Sequence, residues 1–245
     1  MKPTIFYQFA TAVLLAGSAA SAGGYVAPIV DTPIEIIEPA VPLTWQGAYA
    51  GATIGYAFGG DDEVGIGQGN VSTYTTLGDK LELGGANAGL RLGYRFQRAG
   101  QTRDWLFAGE LGYEGGSIED EVTDGPYTAR NEINSVLALR LKSGVLNASK
   151  DTWFYGILGV GRVDYDYTVS GTGGVAGAVD INESQKATGY ILGLGVERKL
   201  NERLSLTGEW EYHNYGKDHL EDAAGRSTEA TPDWHQIKIG LNYQF

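Results

Sequence analysis

The chain has 245 residues, enough for one all-β barrel domain, and its 37 glycines and 15 tyrosines exceed the usage of an ordinary soluble domain. It contains no cysteine, which excludes disulfide bridges, thiol catalysis and cysteine-ligated metal sites. A formal net charge of -12 argues against nucleic acid as a partner, because phosphate binding needs a basic face.

The first 22 residues have the composition of an export signal peptide. Lys2 supplies the positive start, and an apolar run centred on residues 12–16 follows. Ala20 and Ala22 occupy the two small positions of an A-x-A cleavage site, so we expect cleavage after Ala22. The apolar run is well short of the ~18 residues that a membrane-spanning helix needs.

Residues 23–44 hold four of the seven prolines, so we predict a Pro-rich tether without helix or ladder. From residue 45 to residue 245 the chain repeats a glycine-rich segment in which polar and apolar residues alternate. Period two indicates strands. The predicted fold is all-β, an eight-stranded antiparallel up-and-down transmembrane β-barrel. Its strands are expected at residues 45–59, 87–96, 105–115, 133–146, 153–168, 188–200, 204–215 and 234–245.

The last segment shows the alternation best. Ile237, Ile239 and Leu241 share one face, and Lys238 and Asn242 share the other. This pattern suits a wall between hydrocarbon and a polar interior. The same alternation predicts a set of charged residues inside the barrel: Arg91, Arg95, Glu110, Glu114, Arg140, Lys142, Glu197, Glu209, Glu211 and Lys238.

The fifth segment is less regular, because Leu158 and Val160 share a parity with Arg162 and Asp164. A β-bulge would explain the change, although its position does not follow from the pattern.

Connections alternate in length along the chain. Short ones lie at residues 97–103, 147–151 and 201–203, and long ones at 60–80, 116–130, 169–186 and 216–233. Outer-membrane barrels place short turns in the periplasm and long loops outside, which predicts two periplasmic termini. Trp45, Trp105 and Trp153 stand at the turn-side strand ends, where we expect an interfacial aromatic girdle.

Three stretches resemble the opacity-like family of small outer-membrane β-barrels, which is similar in architecture to the membrane domain of OmpA. They are residues 45–56, residues 189–197 and the terminal Asn242-Tyr243-Gln244-Phe245. The resemblance implies an eight-stranded barrel in the outer membrane, surrounded by lipid and lipopolysaccharide. It also implies insertion by the outer-membrane assembly machinery, with Tyr243 and Phe245 as the terminal signal. Many members of that family are labelled porins.

An open pore is not what the inward charges predict. The interior of an eight-stranded barrel is just wide enough for side chains to fill, and an unpaired buried ion costs several kcal/mol. We therefore expect paired charges that plug the lumen, and a structural role in envelope integrity with loops available for surface interactions. Two alternatives remain open: a narrow porin-like diffusion channel, and a soluble periplasmic barrel that binds an apolar ligand with its apolar parity inward.

Catalysis would have to use His213, His219 or His235. His213 lacks a serine two residues later, as a deacylase-like His-x-Ser would require, and the pairs Asp218/His219 and Asp233/His235 are neighbours in sequence only. We expect no enzyme activity, no cofactor and no metal site. The sequence identifies no partner for the long acidic loops.

Overall fold

The computed structural model describes residues 44–60, 62–68 and 71–245, with side chains not described at 71–74. The predicted signal peptide, with Ala20 and Ala22, and the predicted tether up to residue 43 lie outside the described residues. Within the described part, no helix is long and apolar enough to cross a membrane.

Eight strands close into an antiparallel barrel in the order β1-β12-β9-β8-β7-β6-β5-β4. This ring confirms the predicted fold class. The barrel strands are β1 (Gly47–Phe58), β4 (Gly85–Arg98), β5 (Trp105–Asp124), β6 (Tyr127–Leu146), β7 (Thr152–Gly174), β8 (Gly177–Lys199), β9 (Leu204–Asn214) and β12 (Asp233–Gln244).

Four shorter strands form a second sheet in the order β10-β11-β2-β3. They are β2 (Gly65–Gln68), β3 (Val71–Thr76), β10 (Asp218–Glu221) and β11 (Arg226–Ala230). The prediction of long loops here and at residues 116–130 and 169–186 is wrong. β5 with β6, and β7 with β8, run on as paired hairpins until two-residue turns at 125–126 and 175–176.

The strands are strongly staggered around the ring. Stepping from His235 through directly paired residues on every strand leads back to β12 at Phe245, ten residues further along. Ten residues over eight strands means that positions at one height are offset by a little more than one residue per strand. Such stagger accompanies the strand tilt that closing a barrel requires.

The turn-side half of the barrel has an apolar outer face. Leucine, isoleucine and aromatic side chains point outward there: Ile54, Leu90, Leu92, Leu139, Leu141, Leu158, Leu194 and Ile239 are each between 55% and 71% exposed. The inner face of the same strands carries the buried charges. The soluble-barrel alternative required the opposite arrangement and is therefore wrong.

Beyond that band the polarity of the two faces is exchanged. On β7, Val163, Tyr165 and Tyr167 point inward and are fully buried, whereas Arg162 and Asp166 lie on the outer face. The alternation of β7 is unbroken from residue 153 to residue 169, so the expected bulge in this strand is wrong. The extra residue lies in β6, where the register shifts between Ile133 and Ser135.

The second sheet packs against this inner apolar face and forms what we call the loop-side lobe: residues 62–68, 71–84, 116–136, 161–189 and 215–232. Its buried core combines side chains of the barrel strands and of the long connections: Val64, Ile66, Leu77, Leu81, Leu83, Ile118, Tyr127, Ala129, Ile133, Val163, Tyr165, Tyr167, Val169, Val179, Ile181, Leu220 and Ala230. The barrel thus passes without interruption into a two-layered apolar core.

Candidate functional site

The lumen of the turn-side half contains a network of paired charges, here called the charged network. It consists of the five cations and five carboxylates that the alternation placed inside, each 5% exposed or less: Arg91, Arg95, Arg140, Lys142, Lys238, Glu110, Glu114, Glu197, Glu209 and Glu211. The structure brings all ten predicted residues together in ion pairs. Their formal charges cancel.

Each ammonium group of the network bridges more than one carboxylate. Lys142 Nζ lies 2.7 Å from both Glu110 Oε2 and Glu209 Oε1. Lys238 Nζ lies 2.7 Å from Glu211 Oε2 and 3.0 Å from Glu114 Oε1. Because each ion has several partners, the burial cost of one charge is shared across the barrel.

The arginines extend the network toward both ends. The Arg140 guanidinium lies 2.5 Å from Glu114 and 2.9 Å from Glu211. Arg91 Nη1 lies 3.0 Å from Glu209, and Arg95 pairs with Glu197 at the turn-side end. Fixed guanidinium forks suit such buried multidentate contacts better than a mobile ammonium group does.

Neutral groups donate further hydrogen bonds to the same carboxylates. Tyr49 donates a hydrogen bond to Glu110 at 2.7 Å, and Tyr155 donates one to Glu209 at 2.6 Å. Gln236 donates to Glu114 at 3.1 Å. These side chains fill the space between the ion pairs, so the network is packed as well as charge-balanced.

Glycines on the inner wall make room for the long side chains. A Cβ atom on Gly93 would fall 2.5 Å from the Tyr49 ring, and one on Gly240 would fall 2.6 Å from the Arg91 guanidinium. A Cβ atom essentially never lies that close to another heavy atom, so the glycine pattern and the plug depend on each other.

A turn-side cluster of apolar side chains lies below the charged network: Trp45, Leu106, Ala108, Leu146, Trp153, Tyr155 and Ile157. The Trp45 and Trp153 rings meet edge to face at 6.5 Å, and both residues are fully buried. The Arg95 guanidinium covers the Trp45 ring at 5.5 Å. The Trp45 indole donates to the carbonyl oxygen of Lys150 at 2.8 Å.

The prediction of an interfacial girdle is therefore wrong for two of its three tryptophans. Trp45 and Trp153 point into the lumen, whereas Trp105 is 47% exposed and stacks on Phe107 at 6.3 Å on the outer face. The alternation contained the signal, because Trp45 shares its parity with the inward-facing Tyr49. An inward aromatic ring at this level closes the mouth of a narrow barrel.

His213 closes the loop-side end of the network. Its Nε2 lies 3.0 Å from the Glu211 carboxylate, and its ring stacks on Trp234 with 4.9 Å between centroids. The residue is fully buried, in contact with both the network and the apolar core above it. These two contacts account for the burial of the histidine at this position.

Within the lobe, Asp62 links the connection before β2 to β7 and to the connection before β12. It accepts hydrogen bonds from the Thr231 hydroxyl at 2.5 Å and from the Tyr167 hydroxyl at 3.1 Å. Burial raises the pKa of the Asp62 carboxyl above its ordinary value, against the hydrogen bonds, which lower it. The nearby Tyr165 hydroxyl donates to Asp218 at 2.7 Å.

The other residues singled out by sequence lie on outer surfaces. Tyr243 and Phe245 are 43% and 75% exposed on the turn-side rim, with their rings edge to face at 5.7 Å. His219 lies on β10 with its Nε2 3.7 Å from Glu221. His235 lies on the outer face of β12, where its ring stacks on Trp210 at 5.6 Å.

The sequence model of the outer membrane protein beta-barrel domain family matches residues 9–245. The 31 kDa outer-membrane immunogenic protein of Brucella melitensis is 24% identical over 248 residues, which cover 95% of this chain and 99% of that protein. The 25 kDa outer-membrane immunogenic protein of Brucella abortus is 27% identical over 227 residues, 89% of this chain and 86% of that protein.

Among solved structures, the outer membrane protein OprG of Pseudomonas aeruginosa is similar with a TM-score of 0.54 and 14% sequence identity. The match covers 82% of this chain and 96% of that one. At this identity the likeness concerns the fold alone.

Proposed function

This chain belongs to the outer membrane protein beta-barrel domain family, and we propose that it is a non-enzymatic structural barrel of the outer membrane with a closed lumen. Its function is to maintain the integrity of the cell envelope, and its lobe is the surface that partners can reach. The observation that carries the proposal is the charge-balanced network, whose ten ions are each 5% exposed or less.

Three successive closures support a non-conducting lumen. The turn-side cluster fills the lower mouth, the charged network fills the middle, and the lobe core covers the upper end. An ion entering this path would have to displace buried pairs, each held by several contacts. The narrow-channel alternative has no comparable observation in its favour.

Conductance and permeability measurements distinguish a structural barrel from a diffusion channel, because the two functions predict opposite results. Purified protein in planar bilayers should give no steady single-channel current, with a general porin as the positive control. Deleting the gene should increase the entry of bulky antibiotics and detergents, because a structural barrel is lost. A diffusion channel would instead give steady current, and its deletion would reduce solute uptake.

The orientation is part of the same proposal. β1 begins and β12 ends at the turn side, so we place both of these ends in the periplasm and the lobe outside the cell. The two Brucella relatives are named as immunogenic proteins, which supports an accessible outer surface. Protease added to intact cells should cut within the lobe and spare the short turns, and cuts at 147–151 or 201–203 would reverse the orientation.

For assembly, we infer that Tyr243 and Phe245 form the signal read by the insertion machinery. Both aromatic rings are exposed on the rim rather than used in the core. Replacing Phe245 with Ser should lower the yield of inserted barrel while leaving refolding in detergent unchanged. Equal loss in both assays would make Phe245 a stability residue instead.

A further inference from the structure

The outer wall carries an amphipathic groove at the loop-side edge of its apolar band. The groove has a volume of about 620 Å³ and lies across β8, β9 and β12. Leu192 and Leu194 line its apolar part, and Tyr212, Asp233 and His235 line its polar part. A groove that changes from apolar to polar toward the membrane surface fits an amphiphile held in the leaflet.

The polar part of the groove is ordered by contacts of its own. The Tyr212 hydroxyl donates to Asp233 at 3.1 Å, and the Tyr212 and His235 rings lie 5.1 Å apart. His235 Nδ1 is shielded from solvent and has no hydrogen-bond partner within the described part of the chain. Flat aromatic faces beside a carboxylate and an imidazole suit a ring that bears hydroxyl groups.

A cation lies at the same height, three strands away. The ladder from His235 runs through Tyr212 and Leu192 to Leu158 on β7, and Arg162 is four residues nearer the loop side than Leu158. An offset of four residues over three strands matches the barrel's stagger of ten residues over eight strands. Arg162 and His235 therefore lie at the same height along the barrel axis. The Tyr190 and Tyr212 rings, 6.3 Å apart, lie between them.

Arg162 differs from the other charged groups of this wall. Its neighbours across the ladders are Leu137 and Thr188, and it has no ion pair within the described residues. The next cation, Lys186, is already paired with Asp164 at 2.9 Å. An exposed arginine directly above an apolar band is positioned to pair with a phosphate at the headgroup level.

We propose that the strip formed by Arg162, Tyr190, Tyr212, Asp233 and His235 binds a phosphorylated glycolipid of the outer leaflet, the lipid A part of lipopolysaccharide. Arg162 takes a phosphate, the aromatic and polar groups of the groove take the sugar ring, and Leu192 and Leu194 contact an acyl chain. The proposal rests on the orientation given above, with the lobe outside, and not on whether the lumen conducts.

The negative charge of Asp233 decides between lipid classes. A carboxylate accepts hydrogen bonds from sugar hydroxyl groups and repels a phosphate, so the phosphate and sugar ends of the ligand are separated along the strip. A phospholipid with one phosphate and no sugar would satisfy Arg162 only. We therefore expect selectivity for the glycolipid and not for anionic lipid in general.

The test uses the purified full-length mature protein in detergent, with bound lipid counted by native mass spectrometry. The probes are diphosphorylated lipid A, the same lipid after phosphatase treatment, and phosphatidylglycerol. Arg162→Gln is compared with Arg98→Gln, an exposed arginine at the turn-side end of β4. Heat-modifiable migration on gels confirms that each variant is folded.

Arg162→Gln should weaken retention of diphosphorylated lipid A by about tenfold, the scale of one charge-assisted hydrogen bond, and Arg98→Gln should not change it. Dephosphorylated lipid A should bind both variants and the parent protein equally. Unchanged retention by Arg162→Gln, equal loss in both variants, or equal binding of phosphatidylglycerol would each overturn the proposal. None of these results bears on conductance, so the closed lumen is tested separately.

Discussion

The turn-side half of the barrel and the loop-side lobe share strands but have opposite interiors. Below, β7 turns leucine and valine outward and the lumen is charged; above, the same alternation turns tyrosine and valine inward and arginine and aspartate outward. The backbone rule is the same in both regions, and only the surrounding solvent differs. Side-chain parity alone therefore does not say which residues face inward; the environment of each face of the strand must also be known.

The two regions also bury polar groups differently. The charged network pairs carboxylates with cations, for example Glu209 with Lys142 at 2.7 Å. The lobe buries Asp62 among hydroxyl and backbone donors of Thr231 and Tyr167. Removing one partner should therefore be costly in the network and mild in the lobe.

The largest effect is expected from Lys142→Met. It leaves Glu110 and Glu209 with an uncompensated buried charge, which should lower the free energy of unfolding by about 3–5 kcal/mol. Urea titration in lipid vesicles measures the loss. Lys217→Met breaks an exposed pair with Glu229 at 3.2 Å and should change stability by less than about 1 kcal/mol. Equal, small losses in the two variants would remove the contrast between a paired interior and a solvated surface.

A smaller and local effect is expected from Leu81→Ala, which empties part of the fully buried lobe core. We expect roughly 2–5 kcal/mol of local destabilisation, with protease cuts appearing in residues 62–84. The barrel below should keep its heat-modifiable migration. Leu90→Ala, on the lipid-facing wall at 71% exposure, is the control and should leave the lobe resistant. Simultaneous loss of barrel and lobe would show that the two regions unfold as one unit.

The smallest effect concerns pH. Because burial raises the pKa of Asp62 above its ordinary 3.8, the folded lobe favours the protonated carboxyl. This contribution is complete below that ordinary value and is lost as pH rises through the folded-state pKa. Hydrogen exchange of the lobe should therefore quicken, beyond its intrinsic pH dependence, as pH rises from about 4 toward neutral. Asp62→Asn should flatten this response, and an unchanged profile in that variant would assign the effect to other groups.

The barrel and its inward charges could be predicted from the sequence because each is a local pattern of period two. Arg91, Glu110 and Lys238 fall on the polar parity of strands whose other face is apolar at the adjacent positions. The alternation of the adjacent residues is enough to predict that these side chains point into the barrel.

The lobe could not be predicted in the same way. Its outward residues, such as Glu119 and Glu121, have the composition of a solvated loop, although they belong to β5. Its second sheet joins β2 to β11 through contacts between residues more than 150 positions apart. The girdle prediction for Trp45 and Trp153 is wrong for another reason: tryptophan prefers interfaces in general, but the strand parity points Trp45 into the lumen.

The inward position of Trp45 has a mechanical consequence. The ring sits inside the lower mouth against Trp153, its indole is tied to Lys150, and Lys199 Nζ donates to the carbonyl oxygen of Thr44 at 2.6 Å. Tension applied through the preceding residues therefore reaches the wall at the β6–β7 turn and at the end of β8 before it can peel β1 from β12. Pulling on single molecules in bilayers would show this as a higher rupture force than in Trp45→Gly, and equal forces would mean that the first strand bears the load alone.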